Sequence, residues 1–272
     1  MLNINTNIMS LTAQANLSGS QSALSQAINR LSSGKRINTA ADDAAGNAIA
    51  TSQTASINAL NQGIANANNA ISMVQTANGA LSSTIDNLQR IRQLAVEAGD
   101  GSLNSSALSD LQSEVNTRLG EIDRVASQTT FNGVHILSTA GAVNFQVGAF
   151  SGQYVSVDFG ASTFNTTGLQ VNGLVISTSA AAQAAMGSID NALQQLNSFQ
   201  ATLGAKQNTL QATVTSTQTQ STNMDAARSQ ITDADFAQET ANLSKAQVLQ
   251  QAGISVLAQA NSLPQQILKL LS

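Results

Sequence analysis

Apolar residues return at every seventh position through most of this chain, and that spacing fixes what it can fold into. From Ile57 two series run in step over about five heptads: Ile57, Ile64, Ile71, Asn78, Ile85, and Leu60, Ala67, Val74, Leu81, Leu88, Ala95. A helix returns the same face to a supercoiled partner every seven residues, so the pattern predicts one long helix with a coiled-coil seam. Asn78 is the polar member of that seam. Buried against a partner it would fix register at a cost in stability; otherwise it reaches solvent. A second helix is predicted over 104–128, with Leu108, Val115 and Ile122 in one series and Leu111 and Val125 in the other. Glu114 and Arg118 form an i,i+4 pair there, worth about 0.2–0.5 kcal/mol. A third is predicted over 181–229 on Ile189, Leu196, Leu203, Leu210, Thr217 and Met224. The stretch QATVTSTQTQSTN has a linker's composition, but the seven-residue spacing of Leu210, Thr217 and Met224 runs through it, so it reads as helix.

Between the second and third helices the period drops to two. Val143, Phe145 and Val147 alternate with polar neighbours, as do Val155, Val157 and Phe159, and GAFSGQ between them supplies turn glycines. This predicts a β-hairpin, with LQVNGLVI at 169–176 adding a further strand or two around Asn172-Gly173. Both ends read as helix again. Leu17, Leu24 and Leu31 are seven apart, with Ile28 in the intermediate series and Gly34 placed to end the helix. Near the other end TDAD, from Thr232 to Asp235, resembles a capping box. It opens a helix toward Leu263, which Pro264 ends, kinks or follows with a last short helix.

Composition narrows the function. Charged residues make up 10% of the chain and aromatics 3%, with no Cys and a single His, His135. Disulfides, thiolate catalysis, Cys-ligated zinc and paired-His metal motifs are excluded, and no cofactor is expected. Basic residues are scattered, so no stripe fits a nucleic-acid backbone. No run of about 20 apolar residues exists to span a bilayer. The opening residues lack the basic and apolar blocks of a secretory signal, so the chain is expected to stay in the cytosol or leave by a signal-less route.

The two ends are the least ordinary part. Residues 1–29 and 246–268 contain no charged side chain. Gln, Asn, Ser and Thr keep such helices soluble and are far less costly to desolvate than ionised groups. The composition suits helices that are wet in one state and packed on all sides in another. The alternative is that both ends pack onto their own chain.

Four stretches then carry a resemblance: NRLSSGKRINTAADDAAGNAIA (29–50), LQRIRQLAVEA (88–98), EIDRVASQTTFNGVHIL (121–137) and AARSQITDADFAQETANLSKAQVLQQAGISVLAQANSLPQQILKLL (226–271). Together they resemble bacterial flagellin. The resemblance implies a structural subunit that self-assembles into the extracellular flagellar filament used for swimming. Its terminal segments would pair as a coiled coil lining the filament channel. It also implies export, unfolded, through the flagellar type III apparatus. The implied partners are further copies of the chain, cap and junction proteins, an export chaperone and host innate immune receptors.

The fold expected is mainly α: a long antiparallel, coiled-coil-like bundle with a small β-hairpin region at about 132–177. Residues 1–43 and 230–272 would be the inner-core helices, 44–180 the body and 181–229 its C-terminal helix. The middle leaves no room for the large outer domains of many relatives. The expected assembly seam of the terminal helices is Leu17, Leu24, Ile28 and Leu31 against Leu243, Leu249, Val256, Leu257 and Leu263.

Two recognition sites follow from the resemblance. Gln89, Arg90 and Leu94, with Glu114 on the next helix, match a surface read by a vertebrate Toll-like receptor. These side chains lie off the heptad seam and are expected to be exposed, unless Leu94 packs under another helix and Arg90 only pairs with Asp86. Residues 29–50 are similar to a peptide sensed by a plant receptor kinase. Asp42, Asp43 and Gly46 match, whereas Ala41 and Asn47-Ala48 depart from the pattern. From the residues alone, Thr39 to Asp42 is a capping box opening the next helix.

No enzyme is expected. SSGKR at 32–36 lacks the upstream Gly and the Ser or Thr of a phosphate loop. The other class in view is a hook–filament junction protein or another secreted coiled-coil assembly protein.

Overall fold

The structure is a computed structural model that describes residues 6–138, 141–159 and 163–271, with the side chains of 263–271 outside the description. In chain order it forms α1 (Ile8–Ser33), α2 (Ala44–Ala98), α3 (Ser105–Gln128), β1 (Thr130–Phe131), β2 (Val134–His135), β3 (Ala142–Gln146), β4 (Tyr154–Asp158), α4 (Ser179–Thr232) and α5 (Phe236–Leu271). The chain divides into two units, Met1–Ala55 with Asn223–Ser272, and Ser56–Thr222.

In the Ser56–Thr222 unit the heptads of α2 are buried as a wide face. Leu60, Ala67, Val74, Leu81, Leu88 and Ala95 are all inside, as the spacing predicts. The second buried series is Gly63, Ala70, Ala77, Thr84, Ile91 and Ala98. Of the other expected series Ile57 is buried, while Ile64, Ile71, Asn78 and Ile85 fall on the rim, half-buried. Asn78 Oδ1 is nonetheless covered and has no hydrogen-bond partner among the described residues. On α4, Ile189, Leu196, Leu203, Leu210 and Thr217 are buried, so the Thr- and Gln-rich stretch is helix. Asn104 caps α3, its side chain accepting from Ala107 N at 2.8 Å.

β3 and β4 pair antiparallel with Val143 opposite Val157 and Phe145 opposite Val155. Gly63 admits this hairpin: a Cβ there would stand 2.2 Å from Val147 O. A second, shorter hairpin joins β1 to β2 through Asn132 (φ 49°) and Gly133 (φ 79°). Two successive positive φ values are what a type I′ turn requires, and Asn-Gly supplies them. The strand expected at 169–176 does not form. Its backbone bonds to a side chain instead: Gln112 donates to Leu174 O (2.9 Å) and accepts from Ile176 N (2.7 Å).

In the other unit α1 ends at Gly34 in the left-handed conformation (φ 68°), as expected of a C-cap. The cap of α2 is Asp43, which accepts from Gly46 N at 2.9 Å, so Thr39 does not open that helix. Asp42 reaches back instead, accepting from Thr39 N (2.9 Å) and Asn38 N (3.2 Å). Those bonds hold its carboxyl below the usual range. TDAD likewise works differently from a capping box. Thr232 is the last residue of α4, and Asp235 caps α5 by accepting from Ala237 N at 2.9 Å. The two connectors are stitched together, Arg36 N to Thr232 O (2.7 Å) and Ala234 N to Gly34 O (3.0 Å). Pro264 does not end α5, which runs on to Leu271.

Candidate self-assembly surface

α1 and α5 pack along their length, and the register shows the direction. Asn7 Nδ2 donates to Ala260 O (2.8 Å) and the Ser10 hydroxyl to Asn261 Oδ1 (2.8 Å). A Cβ at Gly253 would stand 3.3 Å from Leu17 Cδ1. Arg30 Nη1 lies 3.0 Å from Glu239 Oε1. Partner numbers fall as α1 numbers rise, so the pair is antiparallel.

Among the described residues, the buried apolar positions of this pair are alanines: Ala13 and Ala27 on α1, Ala246 and Ala260 on α5. They belong to two seven-residue series of small side chains, Ala13, Ser20, Ala27 and Ala246, Gly253, Ala260. Small residues let two helix backbones come close, and the alternating series flanks them. That flank is Leu17, Leu24 and Leu31 on α1 and Leu243 and Leu257 on α5, all half-buried. The intrachain seam therefore contains five of the residues expected from the sequence. Ile28 (49% exposed), Leu249 (47%) and Val256 (55%) lie outside it. The physical reason is angular: these three are displaced from the a/d positions, so the partner helix cannot cover them. The Leu263 side chain lies outside the described residues.

Ile8, Met9, Leu11, Val248 and Ile254 are exposed in the same way. Together with Ile28, Leu249 and Val256 they leave the paired helices with bare apolar flanks. One is a groove of about 440 Å³ lined largely by Ile8, Met9, Ala13, Val256 and Ala260. The alanine and glycine series was missed in the sequence, although its seven-residue spacing was there to find.

In the Ser56–Thr222 unit, Arg90 forks onto Glu114, Nε to Oε1 at 2.8 Å and Nη2 to Oε2 at 3.3 Å. The Arg90 hydrogen bond holds the Glu114 carboxyl below the usual range. Arg118 Nη2 is farther from Glu114, at 3.8 Å. Gln89 is exposed and Arg90 and Glu114 are partly so. Leu94 is fully buried, which is the alternative the sequence left open for it. The cause is that α2 has neighbours on two sides: Arg90 ties it to α3, while Arg92 meets Asp190 of α4 at 2.6 Å. In the 29–50 stretch, Asp42 and Asp43 are engaged in the local bonds described above. Gly46 is buried where a Cβ would stand 2.6 Å from Ile37 Cδ1.

Among the described residues no group of His, Cys, Asp or Glu side chains could hold a metal ion. No described helix is long and apolar enough to cross a membrane. Residues 4–142 match the bacterial flagellin N-terminal helical region, and residues 186–271 the bacterial flagellin C-terminal helical region. A flagellin of Xenorhabdus nematophila is 40% identical, covering 98% of this chain and 98% of its own. A flagellin of Serratia marcescens is 37% identical over 98% of this chain and 99% of its own. The crystal structure of Bacillus cereus flagellin aligns at a TM-score of 0.51 and 29% identity, covering 60% of this chain and 94% of that one. Matched at both helical ends and along nearly its whole length, the chain belongs to the bacterial flagellin family, structural subunits of the flagellar filament rather than enzymes.

Proposed function

We propose that this chain is exported unfolded through the flagellar type III apparatus and joins the extracellular filament by burying the bare flanks of α1 and α5 against neighbouring copies. The observation that supports this is the row of exposed apolar side chains on two helices that carry no charge over 1–29 and 246–268. Burying a Leu, Ile or Val side chain contributes about 1.5–3 kcal/mol, and the absence of ionised groups keeps the desolvation cost small. Residues 1–43 and 230–272 would then form the inner core and 44–229 the surrounding body. Besides further copies of itself, the chain would meet a cap protein at the tip, a junction protein at the base and an export chaperone before secretion. A vertebrate Toll-like receptor would read Gln89, Arg90 and Glu114, with Leu94 acting only as packing beneath them. A plant receptor kinase would need the 29–50 stretch released from the fold, because Asp42, Asp43 and Gly46 are engaged in it.

Electron microscopy of the purified protein before and after seeding with filament fragments tests the reading. Long uniform tubes, with both termini newly protected from protease, are the expected result. Subunits that stay soluble in the presence of seeds would defeat it.

A further inference from the structure

We propose that Met9 is a redox-sensitive modification site of the free subunit: its oxidation to the sulfoxide by hydrogen peroxide blocks addition to the filament. The inference rests on the assembly reading above and names a chemistry that acts on that surface. The methionines differ sharply in access. Met73 is 4% exposed within the core, Met186 and Met224 are half-buried, and Met9 is 63% exposed; Met1 lies outside the described residues.

Met9 lines the groove formed with Ile8, Ala13, Val256 and Ala260, and its thioether is one of the side chains that make this surface apolar. In the reaction a sulfur–oxygen bond forms as the peroxide O–O bond breaks. The sulfur loses two electrons, and the peroxide leaves as water. The product is a strong hydrogen-bond acceptor where an apolar group stood. The side chains around the groove offer it little: Thr12, Asn16 and Gln259 are the polar ones, and the Thr12 hydroxyl already donates to Ile8 O at 2.9 Å. A neighbouring copy packed over the groove would strip water from the sulfoxide without replacing its hydrogen bonds. Once assembled, the same packing shields the thioether, so the sensitivity belongs to the free subunit. Sulfoxide reduction by a methionine sulfoxide reductase reverses the change.

The test uses full-length protein. Monomer is treated with hydrogen peroxide, the peroxide is removed, sulfoxide at each methionine is read by peptide mass mapping, and elongation on untreated filament seeds is followed by light scattering. Sulfoxide should appear at Met9 well before Met73, and elongation should slow by about tenfold or more. Met9→Leu, compared with its own untreated rate, should lose no elongation after the same treatment, and reductase should restore the oxidised wild type. Filaments treated in the same way should accumulate sulfoxide at Met9 more slowly than monomer. Undiminished elongation of protein carrying sulfoxide at Met9, or equal loss in Met9→Leu, would overturn the proposal. Failure of untreated protein to elongate on seeds would instead sink the assembly reading.

Discussion

Arg30 and Glu239 form an ion pair across the α1–α5 seam, with Nη1 3.0 Å from Oε1 and the two side chains 24% and 9% exposed. Glu239 occupies the same heptad series as Ala246, Gly253 and Ala260, so a carboxylate stands where the rest of the series is small and neutral. Asn242 Nδ2 donates to its second oxygen at 3.2 Å. Arg30 Nε is buried and has no hydrogen-bond partner among the described residues, which leaves that guanidinium dependent on Glu239. Removing one partner of a covered pair strands the other. Glu239→Ala should loosen the α1–α5 pair by about 1–3 kcal/mol, less than a fully buried pair because Arg30 keeps some water. Filament heat stability, read by circular dichroism, should fall. The double substitution Arg30→Met with Glu239→Leu should recover much of the loss.

Gly63 and Gly79 both lie inside α2, yet alanine should act oppositely at the two. A Cβ at Gly79 meets nothing within 4 Å, whereas at Gly63 it would stand 2.2 Å from the Val147 carbonyl oxygen. Helix propensity alone favours alanine by roughly 0.5–1 kcal/mol. Gly79→Ala should therefore raise the melting temperature. Gly63→Ala should lower stability by about 1–3 kcal/mol as the hairpin shifts to clear the new methyl. Tyr154, the single tyrosine of a chain without tryptophan, sits on β4 and lets fluorescence report whether the hairpin has moved.

Glu114 supplies a pH dependence whose sign is fixed by its partner. The Arg90 hydrogen bond depresses the carboxyl of Glu114, so its folded value lies below the unfolded one. A depressed acid stabilises the fold above the unfolded value, near 4.3, and loses that contribution as pH falls through the folded value. An NMR titration should place the Glu114 midpoint below the ordinary glutamate range. Arg90→Ala should return it toward that range, and Glu114→Gln should flatten the acid limb of the stability curve.

Large apolar side chains made most of this architecture legible. The Leu60-to-Ala95 and Ile189-to-Thr217 series predicted the long helices, and the alternation of Val143, Phe145, Val155 and Val157 predicted the β3–β4 hairpin. Alanine was the weak signal. It sits as readily on a solvent face as in a close helix approach, so the Ala13, Ala27, Ala246 and Ala260 series carried no hydropathy contrast, and leucine was taken for the centre of the seam. Leu94 shows a related limit: a heptad assumes one neighbour and so leaves a residue off the seam either exposed or packed, and α2 has two. The failed strand at 169–176 depended on Gln112, more than fifty residues away in the chain, which no local pattern could have supplied. Asn132-Gly133 was readable, since a two-residue Asn-Gly loop is a strong short-range hairpin signal, but its flanking strands are only two residues each.

Leu257 and Leu249 separate the role of the seam from that of the flank. Leu257 is half-buried at a heptad position facing α1, while Leu249 is 47% exposed away from it. A charge at either site is cheap only while water can reach it. Leu257→Asp should open the α1–α5 pair within a single chain, giving faster protease trimming of both ends and no elongation on seeds. Leu249→Asp should leave that pair intact, with helix content and protease sensitivity of the monomer unchanged, and still stop elongation, because its water is lost only when another copy packs over it. Normal filaments from Leu249→Asp would mean that this flank stays wet in the polymer and that the neighbouring copies meet the chain elsewhere.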